Sequence, residues 1–247
     1  MRAFDLCAGA GGLSLGLQRA GFDVLGLELD ADAIDTHRRH VGPCEKADLR
    51  IYHPTEQRDL TAGGVPCQPF SDAGKGLALD DPRYLVPDFL RIAREAGSRA
   101  VLLENVRGLV KKPRAFRAVL DLFEAEWLTT WTVLDAADFG VPQHRDRVFV
   151  VGFKDAAARA RFRWPNPSHA APGSLFGAPY RTVREALSLG DAPRAVGRID
   201  GVTATEQKSA MSGSQPMGRR RRASERLSEA LGALDQPAPT IKTRVDE

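Results

Sequence analysis

The sequence predicts an α/β fold built on a doubly wound, mostly parallel sheet. Short apolar runs alternate with segments of helical spacing through the first 153 residues. A glycine cluster follows the first apolar run, where such sheets carry their ligand loop. Polar residues recur at the ends of later runs, where the sites of these sheets lie.

In chain order, AFDLC (residues 3–7) is a short strand, and Leu13 to Ala20 a helix stopped by Gly21. FDVLGLELD (22–30) is a second strand ending in acids, followed by the helical ADAIDTHRRH (31–40). RDLTAGG (58–64) leads to a cysteine framed by Pro66 and Pro69. Tyr84 to Ala96 is a helix with Leu85, Phe89 and Ile92 on one face. RAVLLEN (99–105) is a buried type of strand, and PRAFRAVLDLFEAEW (113–127) an amphipathic helix opened by proline. TWTVLDAADFGV (130–141) and RVFVVGF (147–153) are two closing strands. Residues 1–153 are thus expected to form one domain.

Beyond it the texture changes. Residues 154–180 are rich in Pro, Gly and aromatics without period, which predicts a linker or irregular loop. Residues 181–247 hold short helices at RTVREALSLG and ASERLSEALGAL, with too little apolar surface for an independent domain. Arg194 to Arg226 carries eight Lys/Arg against three acids, a net of +5, so the remainder carries −2 of the chain's +3. The basic segment suggests a polyanionic partner, and a solvated basic loop is the plainer alternative.

With 247 residues, 43% of them hydrophobic, the chain can bury one large core. No apolar run reaches membrane-spanning length and no signal-peptide core opens the chain, so a soluble, cytoplasmic protein is expected. Cys7, Cys44 and Cys67 are odd in number and lack metal-ligand spacing, which argues against a disulfide framework and against a metal site.

DLCAGAGG (5–12) departs from the dinucleotide pattern, because Ser14 occupies the third glycine position. Its glycines admit a ligand close to the backbone beside a helix N-terminus. Glu28 is placed to accept from ribose hydroxyls, and Asp48 from an adenine amino group. These residues favour a nucleoside cofactor, S-adenosyl-L-methionine ahead of NAD, over a ligand-free tight turn. Three further features each have a bland reading: Cys67 as a turn thiol, Glu104 and Asn105 as a cap, and Gln143, Arg145 and Arg147 as a basic strand edge.

Together these stretches resemble the DNA cytosine-5 methyltransferase family. DLCAGAGG is similar to its methionine-loop motif, with Cys7 where phenylalanine is usual. GGVPCQPFS (63–71) matches its catalytic-cysteine motif, LLENVRGL (102–109) its Glu-Asn-Val motif, and QHRDRVFVVGF (143–153) its Gln-x-Arg-x-Arg motif. RTVREAL and QPAPTI resemble later segments more loosely. The resemblance implies a Rossmann-like, S-adenosylmethionine-dependent catalytic domain, with an incomplete C-terminal target-recognition region. It implies that Cys7, Ala8, Gly9, Gly11, Gly12, Leu13, Glu28, Leu29, Asp48 and Pro66 bind the cofactor.

The implied chemistry explains the residue types. Carbon 5 of cytosine is a poor nucleophile until a thiolate, here Cys67, adds to carbon 6. Glu104 would hydrogen-bond ring nitrogen 3, and Arg145 and Arg147 would orient Glu104 and the base carbonyl. Methyl transfer to carbon 5 and loss of its proton and the thiol complete the cycle. The base must be flipped out of double-stranded DNA, and residues 71–81 would form the loop that closes over it. Gln68, Ser71, Lys75 and Gln143 are the expected DNA contacts, with Lys75 equally readable as an ordinary surface lysine, and Arg219, Arg220, Arg221 and Arg222 are expected on phosphate.

The family's Gly-Asn-x-Val motif, which completes the cofactor pocket, has no counterpart after QPAPTI. A split enzyme completed by a second polypeptide is therefore expected, ahead of a truncated chain or a degenerate paralogue. Restriction–modification is one setting for such an enzyme. Two other readings stand beside it: a cytosine-5 transfer RNA methyltransferase, whose Cys-Phe-Thr signature is not found here, and a non-catalytic nucleic-acid-binding subunit on the same fold.

Overall fold

A computed structural model describes residues 1–66 and 84–187. Cys67, Gln68, Ser71, Lys75, Arg219 to Arg222 and the helix expected at 223–234 lie outside the described residues. The chain forms two compact units, Met1–Asp135 with Asp146–Asn166, and Ala136–Arg145 with Pro167–Glu247.

The first unit is a seven-stranded sheet in the order β3-β2-β1-β4-β5-β7-β6. Its strands are β1 (Arg2–Leu6), β2 (Asp23–Glu28), β3 (Cys44–Lys46), β4 (Leu60–Gly63), β5 (Ala100–Val106), β6 (Leu128–Asp135) and β7 (Asp146–Phe153). Strands β3, β2, β1, β4 and β5 run parallel, while β7 is antiparallel to both β5 and β6. The expected doubly wound, mostly parallel sheet is present. The strand order reverses at β1, which pairs with β2 on one edge and β4 on the other. Such a switch point opens a crevice at the carboxyl ends of the strands.

The helices are α1 (Gly12–Arg19), α2 (Ala31–His40), α3 (Val86–Glu95), α4 (Pro113–Glu124) and α5 (Ala156–Arg161). Helix α2 starts where its sequence says, because Asp30 Oδ1 accepts from the Ala33 N–H at 2.8 Å. Both α3 and α4 open with proline in their first turn. Their apolar faces carry Phe89, Ile92, Phe116, Val119 and Phe123 onto one side of the sheet, against Phe4, Leu6, Val101, Leu103 and Val150. Phe89 and Phe123 stack with ring centroids 6.0 Å apart. A smaller cluster of Ala3, Leu17, Val24, Leu60 and Ala62 packs α1 on the opposite face.

Several elements differ from expectation, among them helix α5, which forms within residues 154–180 where a linker or irregular loop is expected. Strand β6 ends at Asp135, and Ala136–Phe139 turn into a 3-10 helix whose end is fixed by the positive φ of Gly140 (84°). The short strand β3 was not expected, since three residues are too few for a period to show.

The described part of the second unit holds a two-residue parallel pair, β8 (His169–Ala170) and β9 (Ala178–Pro179), and the short helix α6 (Val183–Ala186). Thr182 and Glu185 form a reciprocal capping box at α6. The Tyr180 hydroxyl donates to Asp138 Oδ1 at 2.8 Å, and its ring meets His144 edge-on. No helix among the described residues is long and apolar enough to cross a membrane.

Phe123 is fully buried in the main core. Replacing it by Ala is expected to cost about 3–5 kcal/mol of unfolding free energy, read from denaturant titration.

Candidate functional site

The crevice at the switch point is built from the ends of β1, β2 and β4. After Leu6 the chain turns through Cys7 and Gly9, both left-handed (φ 56° and 54°), before Gly11 (φ 95°) caps α1. The Ala8 N–H donates to the Leu27 carbonyl at 3.1 Å, holding the loop to β2. Gly11 is required by its surroundings, since a Cβ there would lie 2.7 Å from Val41 and 2.8 Å from His37.

Beside this loop lies a cavity of about 610 Å³, a size suited to a small cofactor. Cys7, Glu28, Leu29, Asp48 and Pro66, five of the residues the resemblance assigns to the cofactor, line it. Ala8, Gly9, Gly11, Gly12 and Leu13 form the loop and first turn of α1 without lining the cavity. Leu27, Asp30, Ala31, Ala47, Leu49, Arg50 and Leu85 line it as well and were not anticipated. All but Leu85 lie within two residues of a residue that was.

The two acids of the cavity are held in different ways. Glu28 Oε2 accepts from the Gly9 N–H at 2.8 Å, and Oε1 from Leu29 N–H (2.7 Å) and Asp30 N–H (3.0 Å). The carboxylate is thereby oriented by backbone, with lone pairs left for a ligand's hydroxyls. Asp48 is gripped by Arg50, whose Nε and Nη2 donate at 2.9 and 2.6 Å, and this ion pair holds the Asp48 carboxyl below its ordinary range. An adenine amino group would share Asp48 with Arg50. Burial pushes the Cys7 thiol up to about 12, with Glu28 and Asp5 adding to the effect. Cys7 is therefore a neutral thiol in the cavity wall and no nucleophile.

A second set of polar groups gathers where β4 and β5 end. Glu104 Oε1 pairs with Arg147 Nε at 2.8 Å, both side chains being largely buried. Their strands are antiparallel with Val106 opposite Arg147, so Glu104 is the diagonal neighbour on the same face. The backbone passes close to Glu104 at Gly64, where a Cβ would lie 3.1 Å from Oε2. On the other face, buried Asn105 donates from Nδ2 to the Val65 carbonyl at 3.3 Å, and its Oδ1 accepts from the Val106 N–H at 2.8 Å. Asn105 thus ties down the segment that leads through Pro66 to Cys67. Gln143 and Arg145 belong to the second unit, where the Arg145 carbonyl accepts from the Ala136 N–H at 3.2 Å. Among the described residues no group of three His, Cys, Asp or Glu could hold a metal ion.

Two outcomes follow for the loop. At pH 8 a thiol with a pKa near 12 is ionised to on the order of 10⁻⁴, so Cys7 should stay unmodified by iodoacetamide in mass-mapped peptides. Gly11→Ala should lower the denaturation midpoint, because it forces a Cβ at positive φ against His37.

Comparison with known proteins agrees with this geometry. The family model for C-5 cytosine-specific DNA methylase matches residues 1–214. Type II methyltransferase M.NgoMIV of Neisseria gonorrhoeae is 41% identical over 181 residues, 70% of this chain and 58% of that one. M.NaeI of Lentzea aerocolonigenes is 42% identical over 184 residues, covering 70% and 44%. M.AquIA of Picosynechococcus is 35% identical over 220 residues, covering 76% and 88%. The chain thus spans about half the length of the first two relatives and most of the third. Among solved structures, a prophage-encoded E. coli protein described as a DNA modification methyltransferase superposes with a TM-score of 0.58 at 27% identity, covering 78% of this chain and 56% of that one. The S. pombe Dnmt2 methyltransferase shares the fold, with a TM-score of 0.57 at 16% identity over 96% and 83% of the two chains. The chain belongs to the C-5 cytosine-specific DNA methylase family.

Proposed function

We propose that this chain transfers a methyl group from S-adenosylmethionine to carbon 5 of a flipped-out cytosine in double-stranded DNA. The observation that carries the reading is the convergence of two sites on one short segment. Pro66, the residue before Cys67, lines the cavity, while Gly64 runs beside Glu104 and Val65 is held by Asn105. Cys67 is the next residue in the sequence after these three. The cavity residues fit the cofactor: an oriented carboxylate at Glu28 for ribose hydroxyls, and an acid at Asp48 for the adenine edge.

When bound, the cofactor supplies an electrophilic methyl group. The chain's own residues do the rest. The Cys67 thiolate adds to carbon 6, moving electron density onto carbon 5. Glu104, in its protonated form, donates to ring nitrogen 3 and stabilises the charge that develops there. Arg147 fixes the Glu104 carboxyl through Nε, which keeps its rotamer ready for the base. After transfer the carbon-5 proton leaves and the Cys67–carbon 6 bond breaks, which restores the thiolate. Arg145 contributes to orienting the base, and Gln68, Ser71, Lys75, Gln143 and Arg219 to Arg222 to holding the DNA.

We further propose that full activity needs a second polypeptide carrying the part of the family fold beyond the matched span. The partial coverage of M.NgoMIV and M.NaeI, 58% and 44% of their lengths, supports this.

The test is transfer of labelled methyl from S-adenosylmethionine to duplex DNA. The chain should be assayed alone and fused to the part of M.NgoMIV beyond the matched region. The fusion is expected to label cytosine at carbon 5, with the chain alone far slower. Cys67→Ser should abolish labelling, and Glu104→Gln should lower kcat about 100-fold or more, as for loss of a general acid. An unchanged rate in Glu104→Gln would overturn the proposed chemistry. Equal turnover by the chain alone would remove the second polypeptide.

A further inference from the structure

We infer that Asp5, Ser14 and His37 form a buried one-proton relay that makes the glycine loop, and with it cofactor binding, sensitive to pH. The inference rests on the assignment of that loop to the cofactor. All three residues are essentially inaccessible to solvent, at 1%, 0% and 0% exposure, and none has a role in the proposed chemistry. Ser14 Oγ lies 2.6 Å from Asp5 Oδ2 and 3.0 Å from His37 Nε2, while His37 Nδ1 lies 3.1 Å from the Gly42 carbonyl.

The hydrogens can be counted. A carbonyl only accepts, so His37 Nδ1 carries a hydrogen toward Gly42. The two contacts of Ser14 Oγ need two hydrogens between three heavy atoms, and the serine hydroxyl supplies one. The other must be carried by the Asp5 carboxyl or by His37 Nε2. With it, the serine both donates and accepts. Without it, one of the two contacts sets lone pair against lone pair in a site closed to bulk solvent.

Two observations agree with a retained proton. Asp5 Oδ1 is buried with no hydrogen-bond partner among the described residues, an arrangement less costly for a neutral acid than for a carboxylate. Burial pushes the Asp5 carboxyl up to about 6, against the lowering effect of its Ser14 hydrogen bonds. The carboxylates of Glu28 on β2 and Glu104 on β5 act in the same upward direction. Cys7 in the loop and Cys44 on β3 are the nearby thiols, and Arg38 on α2 donates to the Cys44 carbonyl at 2.8 Å.

The relay reaches the loop through the imidazole. Its ring fills the space where a Cβ on Gly11 would sit, 2.8 Å from Cδ2, and where one on Gly26 would sit, 2.9 Å from Nε2. Ser14 is in the first turn of α1, directly after the loop. A shift of the ring or the serine therefore moves the cap of α1 and the glycines before it. Because the folded pKa of Asp5 is raised, the relay's contribution to stability is full below the ordinary value of 3.8 and is lost as pH rises through about 6.

The test measures S-adenosylhomocysteine affinity by calorimetry between about pH 5 and pH 8, a span that brackets the Asp5 transition. Wild type is expected to weaken by about tenfold with rising pH, the equivalent of one pKa unit of linkage. Asp5→Asn carries a fixed donor to Ser14 and should bind with little pH dependence, while Asp5→Ala should bind weakly throughout. In the wild-type chain without ligand, the Asp5 carboxyl carbon and the His37 ring nitrogens should shift together at one common pH, with Nδ1 protonated on both sides of it. Separate titrations of the two residues would overturn the relay, and so would equal weakening by Asn and Ala at every pH. If the fusion described above binds no S-adenosylhomocysteine while the chain shows the common titration, the relay stands and the cofactor assignment is refuted.

Discussion

Strand β1 hydrogen-bonds β2 on one edge and β4 on the other, and the rest of the site depends on that double pairing. The register sets Leu6 level with Leu27 and with Gly63. The cavity loop, the acid at the end of β2 and the segment leading to Cys67 must then emerge side by side. Adding β5 parallel to β4 brings Glu104 and Asn105 to the same rim, and antiparallel β7 delivers Arg147 onto the face of Glu104. A parallel core with one reversed strand thus gathers residues from positions 7 to 147 at one rim.

Three carboxylates line this rim, and each is fixed by a different partner. Glu28 is held by three backbone N–H groups, Asp48 by the guanidinium of Arg50, and Glu104 by that of Arg147. Backbone donors cannot swing away, so Glu28 is the most rigid of the three. The Asp48–Arg50 pair is solvent-exposed and weak, which lets a ligand compete for it. The Glu104–Arg147 pair is shielded and charge-assisted, as a group that must meet a base in one orientation requires. Asn105 adds a neutral tie on the far face of β5, so one strand end positions both the acid and the backbone before the thiol.

Much of this was legible in the sequence because it is local. The strand–glycine–helix transition at residues 3–20, the acid closing β2 and the proline-opened helices each declare themselves within a few residues. The acids Glu28 and Asp48 were found from position alone. What could not be read depends on contacts across the chain. Asn105 reads as a cap until Val65, 40 residues earlier, is seen against it. Ser14 reads as a failed third glycine, although its hydroxyl is buried between Asp5 and His37. The end of β6 was overrun because LDAADFGV keeps an apolar texture through a 3-10 turn that only the backbone reveals. The residues expected on DNA at 68–75 and 219–222 lie outside the described residues, so the first group rests on the family resemblance and the second on local charge alone.

The central claim is that Cys67 attacks cytosine, and one measurement addresses it directly. A duplex carrying 5-fluorocytosine is incubated with S-adenosylmethionine and the fused chain, and the covalent product is digested and mapped by mass spectrometry. Fluorine cannot leave carbon 5 as a proton does, so the adduct should persist, with the modified base on the peptide containing Cys67. Attachment at Cys7 or Cys44, or methylation of ordinary cytosine with no trapped adduct on the fluorinated duplex, would contradict the account.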